Sequence, residues 1–221
     1  MSHAIRQERL FIPGPVGRLQ ALHEPGEPGR PAVVICHPHP LFGGTMRNKV
    51  VYWMARAFGD AGCATLRFNF RGVEQSDGAW DEGRGETRDA AAALDWMAGR
   101  HAGAPLWLAG FSFGCYAGLA AAREDARVAR MFAVAPAVNH WDFSFMCGET
   151  RPVVVIAGTK DEIVPFQAVR AAVRAIEADG NVRFHAIEGA GHFFPEHQAE
   201  LQRILREEIA AGLSPRPDGA D

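Results

Sequence analysis

The stretch 105–119, PLWLAGFSFGCYAGL, decides the fold of this 221-residue chain. Residues 105–109 form a short apolar run that predicts a strand buried on both faces, and residues 113–123 have the composition of a helix. The two are joined by GFSFG (110–114), in which a serine has a glycine two positions away on either side. Glycines at those positions permit a very sharp turn that lifts the serine hydroxyl to the end of the sheet. The pattern makes Ser112 the candidate nucleophile; the alternative is an ordinary strand–turn–helix junction.

Apolar runs of strand length alternate with helical spacing along the rest of the chain. Strands are predicted at 8–12, 18–23, 32–36, 64–70, 130–135, 152–157 and 182–187, and helices at 48–60, 86–99, 165–178 and 196–211. This alternation predicts an α/β fold: a mostly parallel eight-stranded sheet with helices on both faces, in a single domain over residues 1–221. The Pro- and Gly-containing tail at 214–221 is expected to be frayed.

Composition excludes several classes of protein. The formal net charge is −3 and the arginines are dispersed, which argues against a nucleic-acid partner. No apolar run is long enough to predict a membrane span, and the polar N-terminus has no signal-peptide core, so a cytoplasmic location is expected. The four cysteines, at positions 36, 63, 115 and 147, form no CxxC pair and are expected to be reduced. Composition leaves the oligomeric state open.

Two further loops carry candidate catalytic residues. Asp161 follows a predicted strand in GTKDEIVP (158–165), and His192 follows the last predicted strand in GAGHFF (189–194). A carboxylate at the first site could orient an imidazole at the second, which would take the proton of the serine. Glu162 is the rival acid and His197 the fallback base, and Asp161 could instead cap the following helix. The order serine, acid, histidine, each at a strand end, favours the catalytic interpretation.

The segment CHPHPLFGG (36–44) follows the third predicted strand and could complete an oxyanion hole. Proline has no amide hydrogen, so the donors available there are the amides of His39, Leu41 and Phe42. We predict Leu41 in preference to His39, with the Phe113 amide as the second donor. His37 and His39 could bind a metal, but no further ligands accompany them, and neither a metal nor an organic cofactor is expected.

Residues 137–151 are too few for a helical cap. The segment contains Trp141, Phe143, Phe145 and Met146, which could wall an apolar substrate pocket together with Phe111 beside the serine. The alternative is that these side chains pack against the sheet. An open site of this kind predicts small or short-chain acyl substrates rather than those of a lipase with a mobile lid.

The motifs together resemble the α/β-hydrolase superfamily, and in particular its small, cap-poor members similar to dienelactone hydrolase. The resemblance runs from about residue 8 to 211 and rests on HPHPLFGGTMRNK (37–49), FNFRGVEQSDG (68–78), GFSFG (110–114), GTKDEIVP (158–165) and GAGHFF (189–194). It implies an eight-stranded sheet and a Ser–Asp–His triad. Dienelactone hydrolases use a cysteine nucleophile where this chain has Ser112, and Glu74 stands where such members often have glycine. Dienelactone hydrolysis itself is therefore not implied.

A serine hydrolase acting on small acyl esters, by an acyl-enzyme on Ser112, is the function these patterns predict. Thioester or amide hydrolysis could use the same triad. A non-catalytic protein that binds a ligand through this fold is the alternative from another class, since the fold hosts many functions. A serine peptidase is disfavoured because the chain has no propeller or large cap to select peptides.

Overall fold

The structure, a computed structural model, describes residues 7–177 and 180–214 and contains an eight-stranded sheet. The strands are β1 (Glu8–Gly14), β2 (Gly17–Glu24), β3 (Ala32–Cys36), β4 (Ala64–Phe68), β5 (Leu106–Phe111), β6 (Val128–Val134), β7 (Val153–Gly158) and β8 (Val182–Ile187). Their order in the sheet is β1-β2-β4-β3-β5-β6-β7-β8. The first two strands form an antiparallel hairpin, β2 pairs antiparallel with β4, and all other pairs are parallel.

In the described part of the chain, five helices cover the two faces of the sheet. They are α1 (Lys49–Asp60), α2 (Arg84–Arg100), α3 (Phe113–Arg123), α4 (Phe166–Ile176) and α5 (Gln198–Leu213). One apolar core lies between the sheet and α1 and α5, and a second lies between the sheet and α2, α3 and α4. The central strands β3, β4 and β5 are buried along their whole length because helices lie on both sides. The predicted three-layer fold is confirmed.

At two of the element boundaries that differ from the prediction, a nearby side chain accepts hydrogen bonds from backbone amides. Strand β4 ends at Phe68, two residues early, and the next side chain, that of Asn69, accepts the Met46 amide at 2.8 Å. Helix α2 begins two residues early, at Arg84. The Glu86 carboxylate accepts the amides of Gly83 at 2.8 Å and Asp81 at 3.0 Å, which satisfies free donors at the helix start. Of the tail predicted to fray, residues 215–221 lie outside the described residues.

A buried ion pair holds the long connection between β4 and α2. The Arg71 guanidinium donates to both oxygens of Asp89, at 3.0 and 2.7 Å, and the Arg71 amide donates to the same carboxylate at 3.0 Å. Both side chains are buried, so this bidentate pairing fixes the start of the loop on α2. The loop is thereby positioned to carry Trp80 to the carboxyl end of the sheet, where it packs against the His39 ring.

The connection from β6 to β7 contains only a 3₁₀ helix, Ser144–Met146, and no cap domain. Cys36, Cys63 and Cys115 are buried and Cys147 is exposed, and all four are free thiols. Across residues 7–177 and 180–214, no helix is both long and apolar enough to cross a membrane.

Gly114, in the first turn of α3, gives a direct test of how closely the layers approach. A Cβ at Gly114 would lie 2.3 Å from the Cys36 carbonyl oxygen, whereas one at Gly99, in α2, would meet nothing within 4 Å. We expect Gly114→Ala to lower the free energy of unfolding by about 1–3 kcal/mol through overpacking. The control Gly99→Ala should raise it by about 0.5–1 kcal/mol through helix propensity. Urea unfolding measures both, and equal stability of the two variants would contradict this packing.

Candidate active site

Ser112 occupies the sharp turn between β5 and α3. Its backbone has φ +54° and ψ −118°, a strained conformation for a residue with a side chain. A Cβ at Gly110 would lie 2.5 Å from the Gly114 carbonyl oxygen, so neither glycine leaves room for a larger residue. The Ser112 amide is paired with the Val134 carbonyl at 2.9 Å, which fixes the turn on β6. The glycines in 110–114 therefore permit the sharp turn that the sequence pattern predicts.

Ser112, His192 and Asp161 form one chain of hydrogen bonds. His192 Nδ1 lies 2.8 Å from Asp161 Oδ2, and His192 Nε2 lies 3.0 Å from Ser112 Oγ. An ionised carboxylate can only accept, so Nδ1 carries the proton and Nε2 accepts from the serine hydroxyl. Asp161 Oδ1 accepts the amides of Ile163 at 2.9 Å and Val164 at 2.7 Å, which leaves Oδ2 for the histidine. The structure thus brings together the three residues predicted as catalytic.

Glu162 and His197, the rivals considered from the sequence, have other contacts. Glu162 Oε2 accepts the backbone amide of His192 at 3.0 Å, so this carboxylate holds the loop rather than the imidazole. His197 is the N-cap residue of α5 and lies against Gly189. Pro165, not Asp161, is the N-cap residue of α4. Asp161 is therefore the carboxylate that faces the His192 ring.

His37 is a structural residue of the loop after β3. The Phe70 amide donates to its Nε2 at 3.0 Å, and its Nδ1 donates to the Pro38 carbonyl at 2.6 Å. Burial lowers the pKa of His37 to about 3, which keeps the ring neutral. Both ring nitrogens are occupied, so the metal-ligand alternative for His37 has no support here. Within the described ranges, no three His, Cys, Asp or Glu side chains form a group that could hold a metal ion.

The amides of the 39–42 loop are distributed differently from the prediction. The Leu41 amide, favoured from the sequence, donates to Nδ1 of His39 at 3.2 Å, and the Phe42 amide donates to the His39 carbonyl at 3.1 Å. The short 3₁₀ helix Pro40–Phe42 causes both pairings. No acceptor within residues 7–177 and 180–214 pairs with the His39 amide. His39 therefore replaces Leu41 as the better candidate donor, beside Phe113, whose amide as the first residue of α3 has no acceptor within its helix.

Ser112 and His192 open onto a cleft of about 420 Å³. The remaining lining residues are Pro38, His39, Phe42, Gly43, Gly44, Asn48, His140, Ile163 and Phe193. None of the five residues predicted for the pocket is among them.

The five residues predicted for the pocket pack elsewhere. Phe111 lies buried against the His192 ring, with centroids 5.1 Å apart, and Trp141 packs on Tyr116 at 4.6 Å. Phe143 and Phe145 stack on each other at 5.8 Å, and Met146 is buried in the core on the α3 side. Phe143 and Met146 thus belong to the core that covers the sheet, as in the alternative left open from the sequence, whereas Trp141 packs on α3 instead.

The structure explains Glu74, which departs from the resemblance, and Cys115, the cysteine three residues after Ser112. Glu74 has φ +49°, a left-handed conformation that favours glycine. Its carboxylate compensates by accepting from Arg47 Nη1 at 2.6 Å and from Asn69 Nδ2 at 2.8 Å. Cys115 is buried, its Sγ lies 3.1 Å from the Gly110 carbonyl, and burial raises its pKa, so its thiolate is disfavoured.

Comparison with known proteins agrees with this geometry. Residues 31–147 match the family model of the α/β-hydrolase fold. The structure of an α/β serine hydrolase homologue from Coxiella burnetii is 40% identical, with a TM-score of 0.86 over 94% of this chain and 99% of that one. An α/β serine hydrolase without a lid from Xanthomonas campestris is 32% identical, with a TM-score of 0.85 over 98% and 100%. An uncharacterised protein from Rickettsia prowazekii is 33% identical over 207 residues, 90% of this chain and 87% of that protein.

The chain belongs to the α/β-hydrolase family, which its fold and its Ser–His–Asp geometry had already indicated. Its similarity to serine hydrolases supports a hydrolase.

The neutral state of His37 predicts a pH dependence of stability. The pKa of His37 in the folded protein lies below the ordinary value of 6.5. Its contribution to the free energy of unfolding is therefore complete above pH 6.5 and is lost as the pH falls toward about 3. In that window we expect His37→Gln to reduce the slope of unfolding free energy against pH by up to about 1.4 kcal/mol per pH unit. Urea unfolding at several pH values measures the slope. Gly99→Ala, which changes no ionisable group, should shift the curve without altering its slope; an unchanged slope in His37→Gln would contradict the assignment.

Proposed function

We propose that this protein is a serine hydrolase, specifically a carboxylesterase for small or short-chain acyl esters. The observation that carries the proposal is the continuous hydrogen-bonded chain from Asp161 through His192 to Ser112, at 2.8 and 3.0 Å, opening directly onto the cleft. A protein that only binds a ligand has no need of this arrangement. The absence of a cap between β6 and β7 supports an open site for small substrates.

The proposed reaction follows from the protonation states of the three residues. His192 Nε2 takes the Ser112 proton while Oγ forms a bond to the acyl carbon, and the carbonyl electron pair moves to oxygen. That oxyanion accepts hydrogen bonds from the Phe113 and His39 amides. The C–O bond to the alcohol then breaks, and His192 gives its proton to the leaving alkoxide.

Water repeats the sequence on the acyl-serine. His192 removes a proton from water, the hydroxide adds to the acyl carbon, and Ser112 leaves with the proton from His192 as the acid is released. Asp161 stays ionised and stabilises the imidazolium formed in each half-reaction. The same steps serve thioesters and amides, so the leaving group is what a substrate comparison has to resolve.

Removing the nucleophile tests the proposal directly. We expect Ser112→Ala to lower kcat on p-nitrophenyl acetate and butyrate by about 10⁴- to 10⁶-fold, since loss of a triad nucleophile removes the covalent route. A fluorophosphonate probe should label Ser112, as located by mass spectrometry. The control Cys115→Ser removes the nearby buried thiol and should keep both labelling and turnover. Unlabelled Ser112, or equal activity in Ser112→Ala, would favour a binding protein or a different nucleophile.

The two adjacent acids should differ in their effects. We expect Asp161→Asn to lower kcat by about 10²- to 10⁴-fold, because the amide cannot stabilise the imidazolium and presents the wrong hydrogen-bond polarity to Nδ1. Glu162→Gln should lower it less than tenfold, because a Gln oxygen can still accept the His192 amide. Steady-state kinetics on one p-nitrophenyl ester compares the two. A larger loss in Glu162→Gln would reverse the assignment of the acid.

A further inference from the structure

The cleft beside Ser112 has walls without formal charge. Among the described residues, its lining includes no Asp, Glu, Lys or Arg. An ionised group of a substrate would lose water there and gain no ion pair, which is costly. The walls therefore suit a substrate whose variable group is uncharged.

Exposed apolar residues are concentrated at the mouth of this cleft. The described part of the chain exposes seven large apolar side chains, and three of them, Phe42 at 86%, Phe193 at 45% and Ile163 at 41%, line the cleft. Large apolar side chains that are exposed together, rather than singly across the surface, mark a surface that contacts an apolar ligand. Leu41, the neighbour of Phe42 in the same 3₁₀ helix, is 64% exposed but does not line the cleft.

Phe42, although exposed, contacts its own loop through both its backbone and its ring. Its amide is paired with the His39 carbonyl at 3.1 Å, and its ring packs on the His39 ring with centroids 4.8 Å apart. The His39 ring is held in turn by Trp80 and Phe113, at 4.6 and 5.2 Å. The same residue, His39, thus contacts Phe42 through its ring and carries the candidate oxyanion amide on its backbone.

Phe193 comes from the loop that carries the histidine of the triad. It follows His192 directly, its ring meets the His192 ring edge-on at 5.0 Å, and it packs on Phe111 at 5.8 Å. Phe42 and Phe193 therefore reach one cleft from the loops after β3 and β8, with Ser112 also in its lining.

From this arrangement we infer that Phe42 and Phe193 form an aromatic clamp, and that the substrate is an uncharged ester carrying an aromatic ring. A substrate ring lying against Phe42 and Phe193 gains the edge-to-face or offset contacts that aromatic pairs prefer, beyond simple apolar burial. Of the two rings, that of Phe193 contacts His192, whereas that of Phe42 contacts His39 and not the Ser–His–Asp chain. We therefore assign substrate specificity to Phe42, whose ring can be changed without disturbing the triad. The inference rests on the proposed esterase function and adds the substrate class.

The test compares benzyl acetate, cyclohexylmethyl acetate and ethyl acetate by pH-stat titration, which needs no chromogenic aromatic group. The wild-type protein should prefer the benzyl ester. Phe42→Ala should lower kcat/KM for benzyl acetate about tenfold, chiefly through KM, and change ethyl acetate less than twofold. Phe42→Leu should hydrolyse benzyl and cyclohexylmethyl acetate equally, and the matched control Leu41→Ala should behave as wild type. Monobenzyl succinate, which is anionic, should be used at least tenfold less well than benzyl methyl succinate.

A second measurement reads Ser112 without turnover. Ethyl and benzyl fluorophosphonates should label the wild type at different rates, the benzyl probe faster, and Phe42→Ala should remove that difference. If Ser112 is labelled and ethyl acetate is hydrolysed but aromatic preference is absent or independent of Phe42, the clamp is wrong and the esterase proposal stands. If Ser112 is unlabelled and no ester is hydrolysed, both are overturned.

Discussion

The strained turn at Ser112 is the constraint on which the rest of the site depends. A non-glycine residue at φ +54° costs about 1–3 kcal/mol and persists only where its surroundings determine it. Those surroundings are β5, buried along its whole length, and α3, which approaches so closely that no Cβ would fit at Gly114 beside the Cys36 carbonyl at the end of β3. The serine is therefore fixed by the contact of three elements, and the loop after β3 starts from the same contact.

The acid and the histidine meet because their strands are neighbours. Strands β7 and β8 pair in parallel, so the loops that follow them leave the sheet side by side. The loops are then joined by bonds from the Lys160 amide to the Ala190 carbonyl at 3.0 Å and from the Gly189 amide to Thr159 Oγ1 at 2.9 Å. Glu162 adds a third connection through the His192 amide. Asp161 and His192, 31 residues apart in sequence, thus meet through local contacts between adjacent strand ends, and β6 lies between β7 and the strand β5 that carries Ser112.

The sequence was sufficient to predict those features in which a local steric requirement restricts the type of residue. The glycines around Ser112 and the alternation of strands and helices predicted the fold and the order of the triad, because close approach and burial restrict residue type directly. Sequence was insufficient where the outcome depends on pairing. The Leu41 amide donates to the His39 ring because residues 40–42 form a one-turn 3₁₀ helix. The spacing of apolar residues does not predict that helix. The aromatic residues at 141–146 could equally have walled a pocket, and only their contacts beside α3 decide between the two.

That Phe42 rather than Leu41 lines the cleft had no sequence signal either, since nothing in HPHPLFGG distinguishes the two positions. What distinguishes them is the loop, whose shape depends on His37. A neutral His37 joins the Pro38 carbonyl to the Phe70 amide and so fixes the start of the loop. Protonation at Nε2 would break the bond from Phe70, since an imidazolium only donates. The candidate oxyanion amide of His39 and the ring of Phe42 both follow this residue within five positions. Burial that keeps this one histidine neutral therefore helps to hold the segment of chain that carries both the candidate oxyanion amide and Phe42.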